Sequence, residues 1–243
     1  NSVGATTLGA LTVGRDWVHT ASGLADSGTA TVVVTGKATL DARGQDITLN
    51  NAGNDVDGWF TVLDAANIDI TDVDALSFSG NAMGTNKTLR LAAMGALSLG
   101  VVSSTGNMTL RGAAMSLDTL SSGGDLDLVA TGALTQTADK AVRVSGVSAI
   151  TATSVALGNA NTFTGSVALT ATTGNAQLRN TAALNLSSAS VAGHLVLQAA
   201  SMTDSGALNV TGTTQLNAVN DIVFDTATNQ FAGLVTITTA RDV

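Results

Sequence analysis

Four residue types are absent from this 243-residue chain: it has no Cys, no Pro, no Tyr and no Glu, and its aromatic residues are five Phe and two Trp. The lack of Cys removes a disulfide framework, thiolate metal sites and any Cys–His nucleophile. The lack of Pro leaves every backbone amide able to donate to a ladder, so nothing interrupts a long stack of hydrogen-bonded strands. All eighteen acids are Asp, a turn former, and the good helix former Glu is missing. Sustained 3.6-residue periodicity with start and stop signals is missing as well, which argues against helix. Basic residues are few: ten Lys and Arg, placed singly, against a net charge of −8. That distribution argues against nucleic acid, which needs a clustered basic face. No apolar run is long enough to cross a bilayer as a helix.

What is present is a strand-and-turn alphabet of Ala, Thr, Ser, Val, Leu, Gly and Asn. Short runs alternate apolar and polar residues and end on Gly, Asn or Asp, as in Asp46-Ile47-Thr48-Leu49, Thr88-Leu89-Arg90-Leu91 and Asp125-Leu126-Asp127-Leu128. Alternation of this kind marks strands with one buried face. Corresponding runs recur at intervals of 18 to 21 residues: Leu76 matches Leu97, and Leu99 to Ser104 matches Leu117 to Ser122. A longer repeat is superposed on these, because GDLDLVATGALTQTADKAVRVSG from Gly124 resembles GHLVLQAASMTDSGALNVTG from Gly193. Two-residue hairpin turns hardly occur, which disfavours a β-sandwich. The expectation is an all-β fold, a right-handed parallel β-helix of about twelve coils of roughly 20 residues, with the longer repeat spanning about three coils. Residues 1–30 read as an irregular opening coil and 31–243 as one continuous repeat stalk. The chain starts without Met and stops as a repeat is being completed, so a fragment of a longer protein is expected.

The longer repeat contains a cassette present three times. It runs from Val144 to Leu169, from Val34 to Val62 and from Val210 to Ile237. A Val-Thr-Gly or related strand leads to an Ile-x-Leu strand, then to Asn-Ala, an Asn-x-Phe and a Gly-x-Val. This pattern resembles the repetitive stalk of the filamentous-haemagglutinin-like exoproteins, large bacterial adhesins exported through a dedicated outer-membrane partner. The resemblance rests on Asn159 to Val167, with Asn51 to Gly58 and Asn229 to Val235 as departures; Val56 stands where the other copies have Phe163 and Phe231. It implies a central β-helical region alone, because the family's amino-terminal secretion domain carries an Asn-Pro signature and this chain has no Pro.

Each candidate site has a plain alternative. The acidic stretch Asp55, Asp57, Asp64, Asp69, Asp72 and Asp74 could supply oxygen ligands to Ca²⁺, but it matches no known calcium loop, and turn capping is the expected role. Asp125 and Asp127 project to one side of a strand, with Lys140 or Arg143 as possible partners for lyase or hydrolase chemistry; solvated outward Asp is the expected reading. His19 and His194 are the only histidines and are far apart in sequence, so no shared metal site is expected. The recurring Asn54, Asn161 and Asn229, with Gly58, Gly165 and Gly233, are expected to be structural repeat positions. Phe163 and Phe231 are expected to stack inside. Trp59 should point outward, where it could touch a sugar or a neighbouring chain.

These readings converge on a structural and adhesive stalk segment of a secreted or surface-anchored bacterial protein. It is expected to have no catalysis, no cofactor and no resident metal. Its expected partners are neighbouring repeats, further copies of the chain end to end, and host or matrix glycans, with no nucleic acid and no membrane insertion. The competing reading is a β-helix protein that binds or degrades polysaccharide.

Overall fold

The computed structural model describes residues 4–243, and among them every regular element is a β-strand. The chain packs as two compact units, Asn1–Gly124 and Asp125–Val243. Residues 1–3 of the expected opening coil lie outside the described residues.

In the first unit, six turns each add one strand to each of two parallel sheets. One sheet runs Thr6–Leu8, Leu24–Asp26, Ile47–Leu49, Ile68–Asp72, Leu89–Ala93, Met108–Gly112. The other runs Trp17–Thr20, Ala38–Asp41, Trp59–Ala65, Leu76–Ala82, Leu97–Ser104, Met115–Leu117. A third, short sheet of Leu11–Val13, Val32–Val34 and Asp55–Val56 closes the early turns. Residues 4–30 already pair in this regular fashion, with Trp17 opposite Ala38 and Leu24 opposite Ile47. The second unit repeats the plan with six more turns, from Leu126–Ala130 to Ile222–Val223 on one sheet and from Ala133–Gln136 to Val235–Thr239 on the other. The architecture is thus a parallel β-solenoid of about twelve turns, as the spacing of the runs requires.

The registers read from the sequence are those of the structure: Leu76 lies opposite Leu97, and Val102, Ser103 and Ser104 lie opposite Leu120, Ser121 and Ser122. Alternation then puts one set of side chains inside, and successive turns stack like on like. Ile47, Ile68, Leu89 and Met108 form one such column and Leu49, Ile70, Leu91 and Leu110 another, all buried. A third column, Trp17, Ala38, Phe60, Phe78 and Leu99, places a small residue beside the largest one. Phe60 and Phe78 stack with ring centroids 6.0 Å apart.

The longer repeat is a correction. In the second unit, Ile150 of one cassette lies in Ser148–Ala152 of the first sheet, whereas its counterpart Leu216 lies in Thr214–Ala218 of the second sheet. Leu126 and Leu195 change sheets in the same way. The repeat therefore spans about three and a half turns rather than three, and consecutive copies present the same residues on opposite faces. A turn made of two half-turns of about ten residues, each one strand and one corner, permits this.

Candidate functional site

The residues that recur most regularly are spent on closing the coil. Asn161 is fully buried; its Oδ1 accepts from Val142 N at 2.8 Å and from Gln136 Nε2 at 2.7 Å, and its Nδ2 donates to Leu157 O at 3.0 Å. Asn54 does the same work in its own turn, accepting from Val32 N at 2.8 Å and donating to Asp26 Oδ2 at 2.9 Å. Asn229 accepts from Leu208 N at 2.9 Å and donates to Asp204 Oδ2. In all three copies a side-chain amide replaces a missing backbone partner where the chain folds back on the coil below.

The recurring glycines have an equally local reason. A Cβ on Gly58, Gly165 or Gly233 would press into the carbonyl of Gly36, Gly146 or Gly212, the glycine one turn below. Outward positions at these corners carry further capping columns. Asp46 Oδ1 accepts from Asn67 N, and Asn67 Oδ1 accepts from Thr88 N, each at 3.0 Å. Asn175 Oδ1 accepts from His194 N at 2.8 Å and His194 Nδ1 accepts from Thr213 N at 2.9 Å, so His194 is a link in a column. His19 sits against Trp17 in the first unit, its pKa lowered by burial.

Of the inner aromatic pair expected from the cassettes, Phe163 is fully buried and Phe231 is not. Phe231 is half-buried, in the strand Gln230–Phe231 that pairs with Leu208–Val210. The internal ring stack is formed instead by Phe60, a position of the first cassette, and Phe78, from the run Ala75 to Phe78.

The acidic stretch is divided by the fold. Asp69 pairs with Arg90 at 2.7 Å, and Asp64 lies in another strand, opposite Asp41. Asp55, Asp57 and Asp74 come together, each offering a carboxylate oxygen within 4.8 Å of the others. Such oxygens are the ligands a hard cation such as Ca²⁺ takes, though it needs six to eight of them. Behind them lies Asp72, 1 % exposed, whose carboxylate accepts from Val56 N and Asp74 N at 3.1 Å each. Burial pushes the Asp72 carboxyl up from 3.8 to about 7; those two backbone donors pull it down, and the Asp74 carboxylate adds to the rise. Burial also raises Asp55, with Asp74 and Asp57 contributing.

The consequence for stability has a definite sign. The folded chain holds the Asp72 proton more tightly than the unfolded chain, so the contribution of this group to stability is greatest in acid and falls as pH rises from about 4 to about 7. Asp72→Asn is expected to flatten this dependence and, because its amide offers one acceptor oxygen where Asp72 uses two, for Val56 N and Asp74 N, to cost about 1–3 kcal/mol in acid, with the gap to the native chain narrowing as pH rises. Thermal melts of both proteins between pH 4.5 and 8 check it; parallel curves would refute the assignment.

Asp125 and Asp127 do not share a site with Arg143. Asp125 Oδ1 caps the next turn at Val147 N, 2.9 Å away, and the strand above Leu126–Ala130 is Ser148–Ala152. Arg143 lies in Val142–Val144, paired with Ser154–Phe163. Trp59 is outward and 42 % exposed, with Cζ3 of its indole 3.3 Å from where a Cβ on Gly100 would stand. No helix of the described residues is long and apolar enough to cross a membrane.

The family described as Repeats of unknown function (DUF5649) matches residues 1–63, 105–170 and 173–238. The chain belongs to this repeat family. Each matched segment holds one inner asparagine nine residues before its end: Asn54 before 63, Asn161 before 170 and Asn229 before 238. Gly58, Gly165 and Gly233 follow at a constant offset within the same segments. The residues that close the coil thus recur at one place in each matched segment. No curated protein matches the chain, and no solved structure does.

Proposed function

We propose that the chain is a structural and adhesive stalk segment of a bacterial secreted or cell-surface exoprotein. The observation that carries this reading is the fate of the repeated residues: Asn54, Asn161 and Asn229 are consumed in hydrogen bonds between coils. What the repeat preserves is the means of adding one more coil. The resemblance of the cassettes to filamentous-haemagglutinin-like stalks supports an extracellular or surface location and a role in adhesion, biofilm or filament formation. The last turn leaves an apolar cavity of about 510 Å³, lined by Leu216, Ile222, Phe231 and Ile237 among others. That face suits a further repeat or another copy of the chain.

Electron microscopy of the purified chain at modest concentration tests the reading. Short rods or long uniform filaments are the expected result, and particles with no long axis would overturn it. Antibody labelling of intact source cells tests location, with surface staining expected. A second reading, polysaccharide binding, is favoured by Trp59, exposed at an outward position of the strand Trp59–Ala65. Quenching of Trp59 fluorescence by neutral glycans, absent in Trp59→Ala, would support it.

A further inference from the structure

The second unit carries a groove of about 350 Å³ whose walls include Lys140, Arg143 and Arg179. These are three of the four Lys and Arg residues between 125 and 243, in a stretch with seven Asp. Of these four, Lys140 has a partner of its own and Arg241 is engaged by Asp221 at 2.6 Å, which leaves the two groove arginines. Convergence of nearly all the positive charge of an acidic unit on one depression calls for a ligand that is itself negative.

The groove is a product of the backbone. Strand Ser154–Phe163 pairs with Ala176–Asn180 through Leu157 opposite Leu178 and Asn161 opposite Asn180, so Gly158, Asn159 and Ala160 face a single residue, Arg179. This bulge re-aims the strand and opens the concavity. On the other side of the same strand, Arg143 lies opposite Thr162. The two arginines thus flank the bulged strand, two strand spacings or about 10 Å apart along the stack. Neither makes an ion pair or a side-chain hydrogen bond among the described residues. Asn159 is fixed by donating from Nδ2 to Thr137 O at 2.7 Å and Lys140 O at 3.1 Å, which turns its Oδ1 into a positioned acceptor. Asp139 stands at the rim, in the left-handed region at φ 61°.

The geometry points to an acidic saccharide as the ligand of this groove, with its carboxylates on the Arg143 and Arg179 guanidiniums and its hydroxyls on Asn159 Oδ1 and Asp139. Planar guanidinium forks match carboxylates. Acceptor oxygens beside them serve hydroxyl groups and would repel a bare polyanion. The net charge of −8 disfavours an extended nucleic acid for the same reason. The inference is independent of the stalk reading and of Trp59, since a groove on one unit binds whatever the whole chain is for.

Calorimetric titration of the 243-residue chain with trigalacturonate at low ionic strength tests it. Binding is expected, weakening as salt is added, with neutral trigalactose and inorganic phosphate giving none. Arg143→Gln and Arg179→Gln are each expected to weaken it about tenfold or more, with melting temperatures unchanged because both side chains reach solvent. Arg241→Gln, remote from the groove, should leave binding intact. No binding of trigalacturonate would overturn the proposal, as would equal binding by the two groove variants. Phosphate or duplex DNA binding as well as trigalacturonate would also overturn it, by showing a site for any anion.

Discussion

Asn161→Leu is expected to destabilise the second unit by about 3–5 kcal/mol, because it orphans several buried polar groups at about 1–3 kcal/mol each. Asn161 is fully buried and serves Val142 N, Gln136 and Leu157 O together. Leucine fills a similar volume but satisfies none of these, so the turn from Gln136 to Val142 loses the group that holds it to the coil above. Urea denaturation gives the free energy, and hydrogen exchange at the Val142 amide reports the mechanism. Exchange there should accelerate more than at Leu178, which lies in an ordinary ladder. If Val142 stays protected and stability changes by less than about 1 kcal/mol, the closing role is wrong. Asn229→Leu should cost less, because Asn229 is only half-buried.

Phe78→Ala should have a comparable effect in the first unit, about 3–5 kcal/mol, combining lost burial with the cavity left behind. Phe78 is fully buried between Phe60 on one turn and Leu99 on the next, and its ring lies 3.0 Å from where a Cβ on Gly80 would stand. Gly80 makes room for that ring, so no neighbouring side chain is poised to collapse into the space. Phe78→Leu retains most of the volume and should cost less than about 1.5 kcal/mol. The same denaturation experiment separates them; equal losses for Ala and Leu would show that the aromatic column is not packed as described. Because each coil contacts only its neighbours, either substitution can split unfolding into two phases, and fluorescence of Trp17 and Trp59 would follow the first unit.

The registers of Leu76 with Leu97 and of Val102 with Leu120 could be read directly from spacing, since turns of 18 to 21 residues place equivalent apolar positions above one another. The structural role of the Asn and Gly positions was legible too, because recurrence at corners has few physical causes. Their partners were not. Asp26, Gln136 and Asp204 do one job, 28, 25 and 25 residues before their asparagines, and nothing in the alternation marks them as partners. The acid cluster shows the same limit: Asp55, Asp57 and Asp74 meet across turns, while Asp69, in the same stretch, leaves for Arg90. The groove was invisible, since its concavity comes from a three-residue bulge that alternation alone reads as a slightly long strand.

By itself, then, the sequence determined the period of the coil, which side chains face inward and the chemistry of the corners. Alternation and turn residues act within a few positions, so they need no knowledge of the rest of the chain. Tertiary structure alone decided what meets between coils: the half-turn offset of the longer repeat, the buried Asp72, the partly uncovered Phe231 and the convergence of Arg143 with Arg179. Each is a meeting between residues one or more turns apart, which no local rule encodes. An extra residue is absorbed at a corner or bulge of its own coil, so the registers of neighbouring turns survive changes of turn length while the local surface changes.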